Sequence, residues 1–487
     1  MVQRFGHQHF AGDYFKTLRF EGEIHDCEVE GEIPRDIRGT FYRLGGDWLY
    51  PPKSPHDAGF SGDGYISMFR FSNGRVDYKG RFVRTPRYLA NRAAGRQLFG
   101  LYRNRSTDEP SVQTVNSTVA NTTPVVHAGR LFATKEDARP YEIDPHTLET
   151  LGEWDFYGKL DSLTFTAHPK IDPLTGEMIC FGYEATGEAS KDIFVYFIDK
   201  TGHVTREVRF EAPYVSEMHD MAITRDHIVI PLYPLTTDKE WLAAGNLHWY
   251  WDDRLPGYLC VLPRDGEAKD VRWIKGPPYA MVHTLNAATE GNRIVLDGTV
   301  SDANPYPFFV NRSGEPWSPR TGASSVRRWT IDLDSKRDGW EERRFFPMAT
   351  GRLPRIDDRF ASLPYRYGYM GYSDPARPPD TSLAPGRAYP MNNTLGRLDM
   401  NGIKLDSLFV GNNGTLQEAC FVPKSGKSQE GDGYLVGVFT NMVDSRSELV
   451  VIDATAMEEL GRVILPFTVQ VQVHGVWASY AELPFQS

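Results

Sequence analysis

Asp192-Ile-Phe-Val-Tyr-Phe-Ile-Asp199 decides how this chain is to be read. Six consecutive β-branched or aromatic residues favour an extended strand. Asp199 then stops it, because an aspartate carboxylate accepts from the backbone N–H groups of a following turn. The same ending recurs at Ile143-Asp144, Ile171-Asp172, Ile331-Asp332 and Ile452-Asp453. The first three copies, at 143, 171 and 198, lie 28 and 27 residues apart, and the later gaps are 133 and 121. Hairpins repeated with large insertions favour a β-propeller over a sandwich.

Working outward, similar runs appear at His227-Ile-Val-Ile-Pro-Leu-Tyr233, Arg293-Ile-Val-Leu-Asp297 and Glu448-Leu-Val-Val-Ile452. The 44 glycines and 33 prolines among 487 residues suit many short elements joined by turns. One short helix is expected near residues 237–245. Hydrophobic residues at 40% and charged residues at 24% describe a folded globule and exclude a disordered chain. No linker divides the sequence, so residues 1–487 are expected to form a single domain. A net charge of −10 without a basic run excludes a nucleic-acid partner. No apolar run approaches the roughly 18 residues of a membrane span, so stable membrane insertion is not expected. Four cysteines stand far apart with no CxxC pair, and the first residues lack the apolar core of a signal peptide. Both point to a cytoplasmic protein with reduced thiols. Oligomeric state is not fixed, and a homodimer stays open.

Of the 13 histidines, His7, His9, His25, His56, His203 and His248 sit in polar, surface-like contexts. Four others follow or interrupt apolar strand-like runs: His168 in Phe165-Thr-Ala-His-Pro-Lys170, His219 in Ser216-Glu-Met-His-Asp-Met221, His283 in Met281-Val-His-Thr-Leu-Asn-Ala287 and His474 in Val471-Gln-Val-His-Gly-Val-Trp477. For any one alone, a hydrogen-bonded core histidine is the commoner outcome. Their separations of 51, 64 and 191 residues form no local metal motif. In a propeller, however, the inner strands of distant blades converge on one axis, where four separated imidazoles could meet at one ion.

Several ordered blocks carry a resemblance. They are Gly31-Glu-Ile-Pro34, Gly39-Thr-Phe-Tyr-Arg43, Phe60-Ser-Gly-Asp-Gly64, Leu131-Phe-Ala-Thr-Lys-Glu136 with Tyr141-Glu-Ile-Asp144, Glu418 with Phe421-Val-Pro423 and Gly431-Asp-Gly433, and His474-Gly-Val-Trp477. Together with the four histidines they resemble the carotenoid cleavage oxygenase family, in its stilbene-cleaving lignostilbene dioxygenase branch, nearly end to end. The resemblance implies an all-β fold: a seven-bladed β-propeller capped by loops and short helices, with one Fe(II) per chain on the axis. It implies His168, His219, His283 and His474 as the metal ligands and O2 as co-substrate. Neutral imidazole suits ferrous iron, and family glutamates accept the outer N–H of three ligands. Glu136 and Glu418 match two of them. The third position is a departure: in Gly351-Arg-Leu-Pro-Arg-Ile-Asp357, Leu353 stands where that glutamate is expected. His283 must then use water, a backbone carbonyl, or a carboxylate such as Asp357 or Asp358. Thr122 matches a family threonine beside the iron, with plain strand packing as the other reading.

In the stilbene-cleaving branch a polar clamp holds a phenol. Here it would be Tyr102 and Lys135, with Phe60 stacking on the substrate ring. Strand alternation would point Lys135 and Glu136 to opposite faces, so a twist or bulge is expected there. A phenol has pKa about 10, and a buried ammonium would stabilise its phenolate. The resemblance thus implies cleavage of the central C=C bond of 4-hydroxystilbenes to two aromatic aldehydes. Cleavage of carotenoids or apocarotenoids is the alternative within the family. A binding propeller that has lost iron through Leu353 is another. A Ca²⁺ or Zn²⁺ propeller hydrolase would need carboxylates at the axis where these blocks supply histidine.

Overall fold

The computed structural model describes residues 7–10, 13–385 and 389–483. Seven antiparallel sheets form the blades of a propeller. Blades two to six are consecutive four-stranded meanders. Their innermost strands are Thr123–His127, Lys170–Ile171, Ala222–Ile223, Ala280–Glu290 and Arg355–Ile356. Blades seven and one have five strands each, and both ends of the chain help to close the ring. The late strand Gln472–Ser479 pairs with Gly39–Asp47 as the inner strand of blade one. The early strand Glu28–Gly31 pairs with Glu458–Leu465 as the outer strand of blade seven, whose inner strand is Gly414–Pro423. Inner strands of neighbouring blades pack on one another around the axis.

The aspartate stops act as their chemistry suggests. Asp144 accepts from the N–H groups of His146 and Thr147, Asp172 from Leu174, Asp199 from Thr201 and His203, Asp332 from Asp334, and Asp453 from Thr455 and Ala456. Four of the five lie between the third and fourth strands of a blade; Asp172 lies between a first and a second. The 28- and 27-residue spacings are therefore half-blade steps, and the blade-to-blade distance is the 55 residues from Ile143 to Ile198.

Blade faces bury continuous apolar surface. The largest cluster joins blades three to five through residues such as Ile179, Val195, Ile230, Leu259, Ile294 and Trp329. Three α-helices occur among the described residues: Pro86–Ala94, Lys239–Ala243 and Pro319–Gly322. The second falls inside the expected short helix and begins where Asp238 caps the Trp241 N–H. The first was not anticipated, although Thr85, Pro86 and Gly95 are its cap, first-turn proline and left-handed terminator. Among the described residues no helix is long and apolar enough to cross a membrane.

Four long inter-strand segments meet over one cavity of the propeller. They lie between Gly39–Asp47 and Asp63–Ser72, after Arg75–Phe82, between Arg293–Ser301 and Ser325–Asp332, and between Tyr367–Tyr372 and Thr394–Asp399. They carry Phe60, Tyr102, Tyr306 and Tyr389, which line one cavity.

Candidate metal centre and the cavity beside it

Each histidine of interest comes from the start of a different blade. His474 and His283 lie on the inner strands of blades one and five. His168 and His219 immediately precede the short inner strands of blades three and four. Regular pleating would send alternate side chains to opposite faces, and the sequence breaks that alternation where the site needs it. Register shifts fall between Gln472 and His474, on both sides of His283, and between Leu416 and Ala419 around Glu418. Bulges of this kind re-aim side chains.

The four imidazoles meet, with one ring nitrogen from each lying within 4.8 Å of the others. The Nε2 atoms of His168 and His219 are 3.0 Å apart, and those of His219 and His283 are 3.2 Å apart. Metal–imidazole bonds are about 2.1 Å, so nitrogens at right angles on one ion sit about 3.0 Å from each other. The buried Nε2 of His474 has no hydrogen-bond partner among the described residues. Burial, reinforced by the neighbouring imidazoles, holds His168 and His283 well below the usual histidine range, in the neutral form that ligates metals. The donor set therefore fits one first-row divalent ion with imidazole preference.

Around the cluster, Glu136 accepts a short hydrogen bond from His219 Nδ1. Burial alone would raise its carboxyl, but His219 and Lys135 beside it hold it well below the usual carboxylate range. Glu136 in turn raises His219 against the effect of burial. Glu418 accepts from His474 Nδ1 at 2.9 Å, from the Gly475 N–H at 2.7 Å and from Arg355 at 3.3 Å. His283 differs, because its buried Nδ1 has no bonded partner among the described residues. Leu353 lines the cavity walls beside it. The backbone of Arg352 favours its charged form, although no bond of ordinary geometry closes on Nδ1. Neither aspartate expected to substitute is available: Asp357 is bonded to Arg359, and Asp358 to Arg355.

Two cavities reach the cluster. One, of about 510 Å³, follows the propeller axis and is lined by His168, His283 and His474 with Asp220, Arg355 and Glu418. The other, of about 240 Å³, touches His219 and His283 and extends under the capping segments. Phe60, Tyr102, Thr122, Lys135 and Glu136 all line the second. Lys135 is 4% exposed, and its Nζ stands 5.4 Å from the Phe60 ring centroid, 5.3 Å from that of Tyr102 and 3.9 Å from a Glu136 oxygen. No bulge brings Lys135 and Glu136 together. Instead, the strand Arg130–Thr134 ends one residue earlier, and a turn presents both.

Asp57, which the sequence did not single out, ties this wall together. Its Oδ1 accepts from the Tyr102 N–H at 2.7 Å, the Ala58 N–H at 2.8 Å and the Ser61 hydroxyl at 3.0 Å, bridging the segments that carry Phe60 and Tyr102. His248 corrects the surface reading. It is fully buried, pairs with Glu184 at 3.0 Å, and its backbone N–H donates to the Tyr102 carbonyl. Arg103 pairs with the same Glu184 at 2.6 Å, so the segment is braced from both sides. No local pattern links His248 to a partner 64 residues away.

Residues 15–479 match the family described as Retinal pigment epithelial membrane protein. The chain is 41% identical over 473 residues to an isoeugenol monooxygenase of Pseudomonas putida, covering 96% of this chain and 97% of that one. It is 40% identical over 475 residues to lignostilbene-α,β-dioxygenase isozyme III of Sphingomonas paucimobilis, covering 96% of each. The crystal structure of a Pseudomonas brassicacearum lignostilbene dioxygenase matches with a TM-score of 0.91 at 40% identity, over 96% of this chain and 97% of that one. The chain belongs to the carotenoid oxygenase family, that of the retinal pigment epithelial membrane protein, and is an oxygenase of it.

Proposed function

We propose that this enzyme is an Fe(II)-dependent dioxygenase that cleaves the central C=C bond of a 4-hydroxystilbene. One alkene and one O2 give two aromatic aldehydes, so both oxygen atoms are accounted for without an added reductant. The observation that carries the reading is Lys135. A buried ammonium faces Phe60 and Tyr102 in the same cavity that reaches His219 and His283. An iron held by His168, His219, His283 and His474 would supply the activation of O2. Glu136 and Glu418 fix two of those imidazoles by accepting their Nδ1–H protons. Lys135 holds the substrate phenol as a phenolate, with Tyr102 closing the same wall, and Phe60 fixes the plane of the ring. Charge placed on that oxygen is delocalised through the ring onto the alkene. Thr122 narrows the approach on the cavity side.

The relatives' names support a phenolic alkene. A volume of about 240 Å³ falls below the roughly 300–1,000 Å³ of sites that enclose drug-sized ligands, which favours a two-ring substrate over a long polyene. The 41% identity to an isoeugenol monooxygenase favours a second reading, a propenylphenol. The Lys135 clamp addresses the phenol end that both substrates share. The four buried, unpaired cysteines suit a reducing compartment, and this reading places the enzyme in the cytoplasm. Aerobic incubation of iron-loaded protein with 4-hydroxystilbene, isoeugenol and a carotenoid, with the aldehydes identified by mass spectrometry under ¹⁸O2, tests it. Two labelled aromatic aldehydes from the stilbene are expected. Cleavage of the carotenoid alone, or a purified protein that takes up no iron, would overturn it.

A further inference from the structure

The phenol clamp occupies one end of the cavity, and Arg352 marks another part of its wall. Arg352 lines the same cavity as Lys135. One Nη donates to the Pro305 carbonyl at 2.6 Å. Among the described residues Nε and the other Nη have no acceptor, and no carboxylate lies within ion-pair reach of the guanidinium. The two acids on this wall are engaged elsewhere: Glu136 with His219, and Glu217 with the Tyr233 hydroxyl at 2.9 Å. The guanidinium is partly buried, its unbonded donors stay open to the cavity, and no existing ion pair has to break for it to take up an anion there, a charge-assisted bond of the stronger kind. Its orientation is already set. The guanidinium carbon stands 4.1 Å from the Tyr389 ring centroid and 5.6 Å from that of Tyr306. Stacking on aromatic faces leaves the edge of the fork, with its N–H donors, for a planar acceptor.

Position along the wall fits a two-ring substrate. Lys135 faces Phe60, Phe60 meets Tyr306 edge-on at 5.5 Å, and Tyr306 meets Arg352. Two aromatic rings therefore separate the two cations. We infer that Arg352 is a specificity-determining residue that binds a carboxylate on the substrate ring remote from the phenol, so that carboxylated 4-hydroxystilbenes are the preferred substrate class. This rests on the function proposed above and names the substrate more closely. It also favours a stilbene over a propenylphenol, which has no second ring to reach the guanidinium.

The test compares 4-hydroxystilbene-4′-carboxylate with 4-hydroxystilbene on iron-loaded wild type, Arg352→Met and Arg352→Lys. Iron content is measured for each protein, and anaerobic dissociation constants accompany turnover. A charge-assisted fork is expected to give wild type about a 10- to 100-fold preference for the carboxylate in kcat/KM. Most of it should appear in KM, because the group lies far from the bond that breaks. Arg352→Met should bring the ratio close to one, and Arg352→Lys should retain part of it. If Arg352→Met loses iron, the Lys variant and the wild-type ratio decide. Turnover of both stilbenes at equal kcat/KM by wild type, or a preference that survives Arg352→Met, overturns the assignment of Arg352 and leaves the stilbene reading standing. Turnover of neither stilbene overturns the stilbene reading, and the anaerobic binding ratio then decides Arg352 on its own.

Discussion

Lys135→Met keeps the length of the side chain and removes its charge. At about 4 Å and an effective dielectric near 20, an ammonium–phenolate pair is worth about 4 kcal/mol. The structure lowers that figure, because a Glu136 oxygen 3.9 Å from Nζ already draws on the same charge. We expect the variant to lose about 3 kcal/mol of transition-state stabilisation for 4-hydroxystilbenes, roughly a 10²-fold fall in kcat/KM. The assay sets 4-hydroxystilbene against its 4-methoxy ether, which cannot ionise, on wild type, Lys135→Met and Tyr102→Phe at matched iron content. Wild type should process the ether poorly, and Lys135→Met should barely distinguish the two. Tyr102→Phe should fall between them, since it removes a hydroxyl and no charge. Equal wild-type rates on ether and phenol, or a Lys135→Met enzyme at wild-type rate on the phenol, would refute the phenolate argument.

Alanine at His168, His219, His283 or His474 should lower iron content and abolish turnover while leaving a folded β protein by circular dichroism; a variant with full iron and full rate is not missing a ligand. Leu353→Glu offers His283 Nδ1 the acceptor it lacks and should tighten iron binding by about 10- to 100-fold, read by competition with a chelator. An unchanged constant would mean that this imidazole is already held. Burial pushes the Asp57 carboxyl up to about 6, so it protonates as pH falls through that value and becomes a weaker acceptor for the Tyr102 and Ala58 N–H groups. The acid limb of kcat/KM should therefore carry a midpoint near 6 that Asp57→Asn removes. Stability moves the other way. A carboxyl that holds its proton more tightly when folded contributes most below its unfolded value of about 4, and that contribution is lost as pH rises through about 6. The urea midpoint of wild type relative to Asp57→Asn should fall over that window, and parallel pH profiles would exclude the assignment.

The fold was legible because its signal is local. A strand of β-branched and aromatic residues and an aspartate that caps its own turn need only neighbours in sequence, and all five aspartates behave accordingly. The number of blades and the closure of the ring were not local. The family resemblance supplied the seven blades, but nothing in the sequence pointed to Gly39–Asp47 meeting Gln472–Ser479 from the far end of the chain. The histidines illustrate the same division. Spacings of 51, 64 and 191 residues are silent, because what aims His283 and His474 is a register shift in each strand, set by pairing with a partner strand. The fate of Lys135 turned on where one strand ends. Asp57 stands in a capping segment and Arg352 in the link between blades five and six, both without periodicity, and what they face depends on which segments meet at the same cavity.

Charge balance links the two halves of the site. Neutral imidazoles alone would leave a bound divalent ion with its full charge, and the carboxylates around them are the protein's means of tempering it. Each of those carboxylates is shared with a cation. Glu136 lies between His219 and Lys135, and Glu418 between His474 and Arg355. Where the family resemblance implies a third, Leu353 stands, next to a guanidinium that has no anion among the described residues. Under the proposed function, a phenolate beside Lys135 would bring negative charge to the side facing the cavity. Because Glu136 touches both Lys135 and His219, a phenolate bound at the proposed clamp would draw on the same carboxylate that holds His219. If the proposed clamp and metal site are both in use, substrate binding and metal electronics would be coupled through that single side chain. Glu136→Gln should then weaken both iron binding and discrimination between phenol and ether, whereas Glu418→Gln, remote from the clamp, should weaken only the first. Loss of discrimination in both variants, or in neither, would break the link.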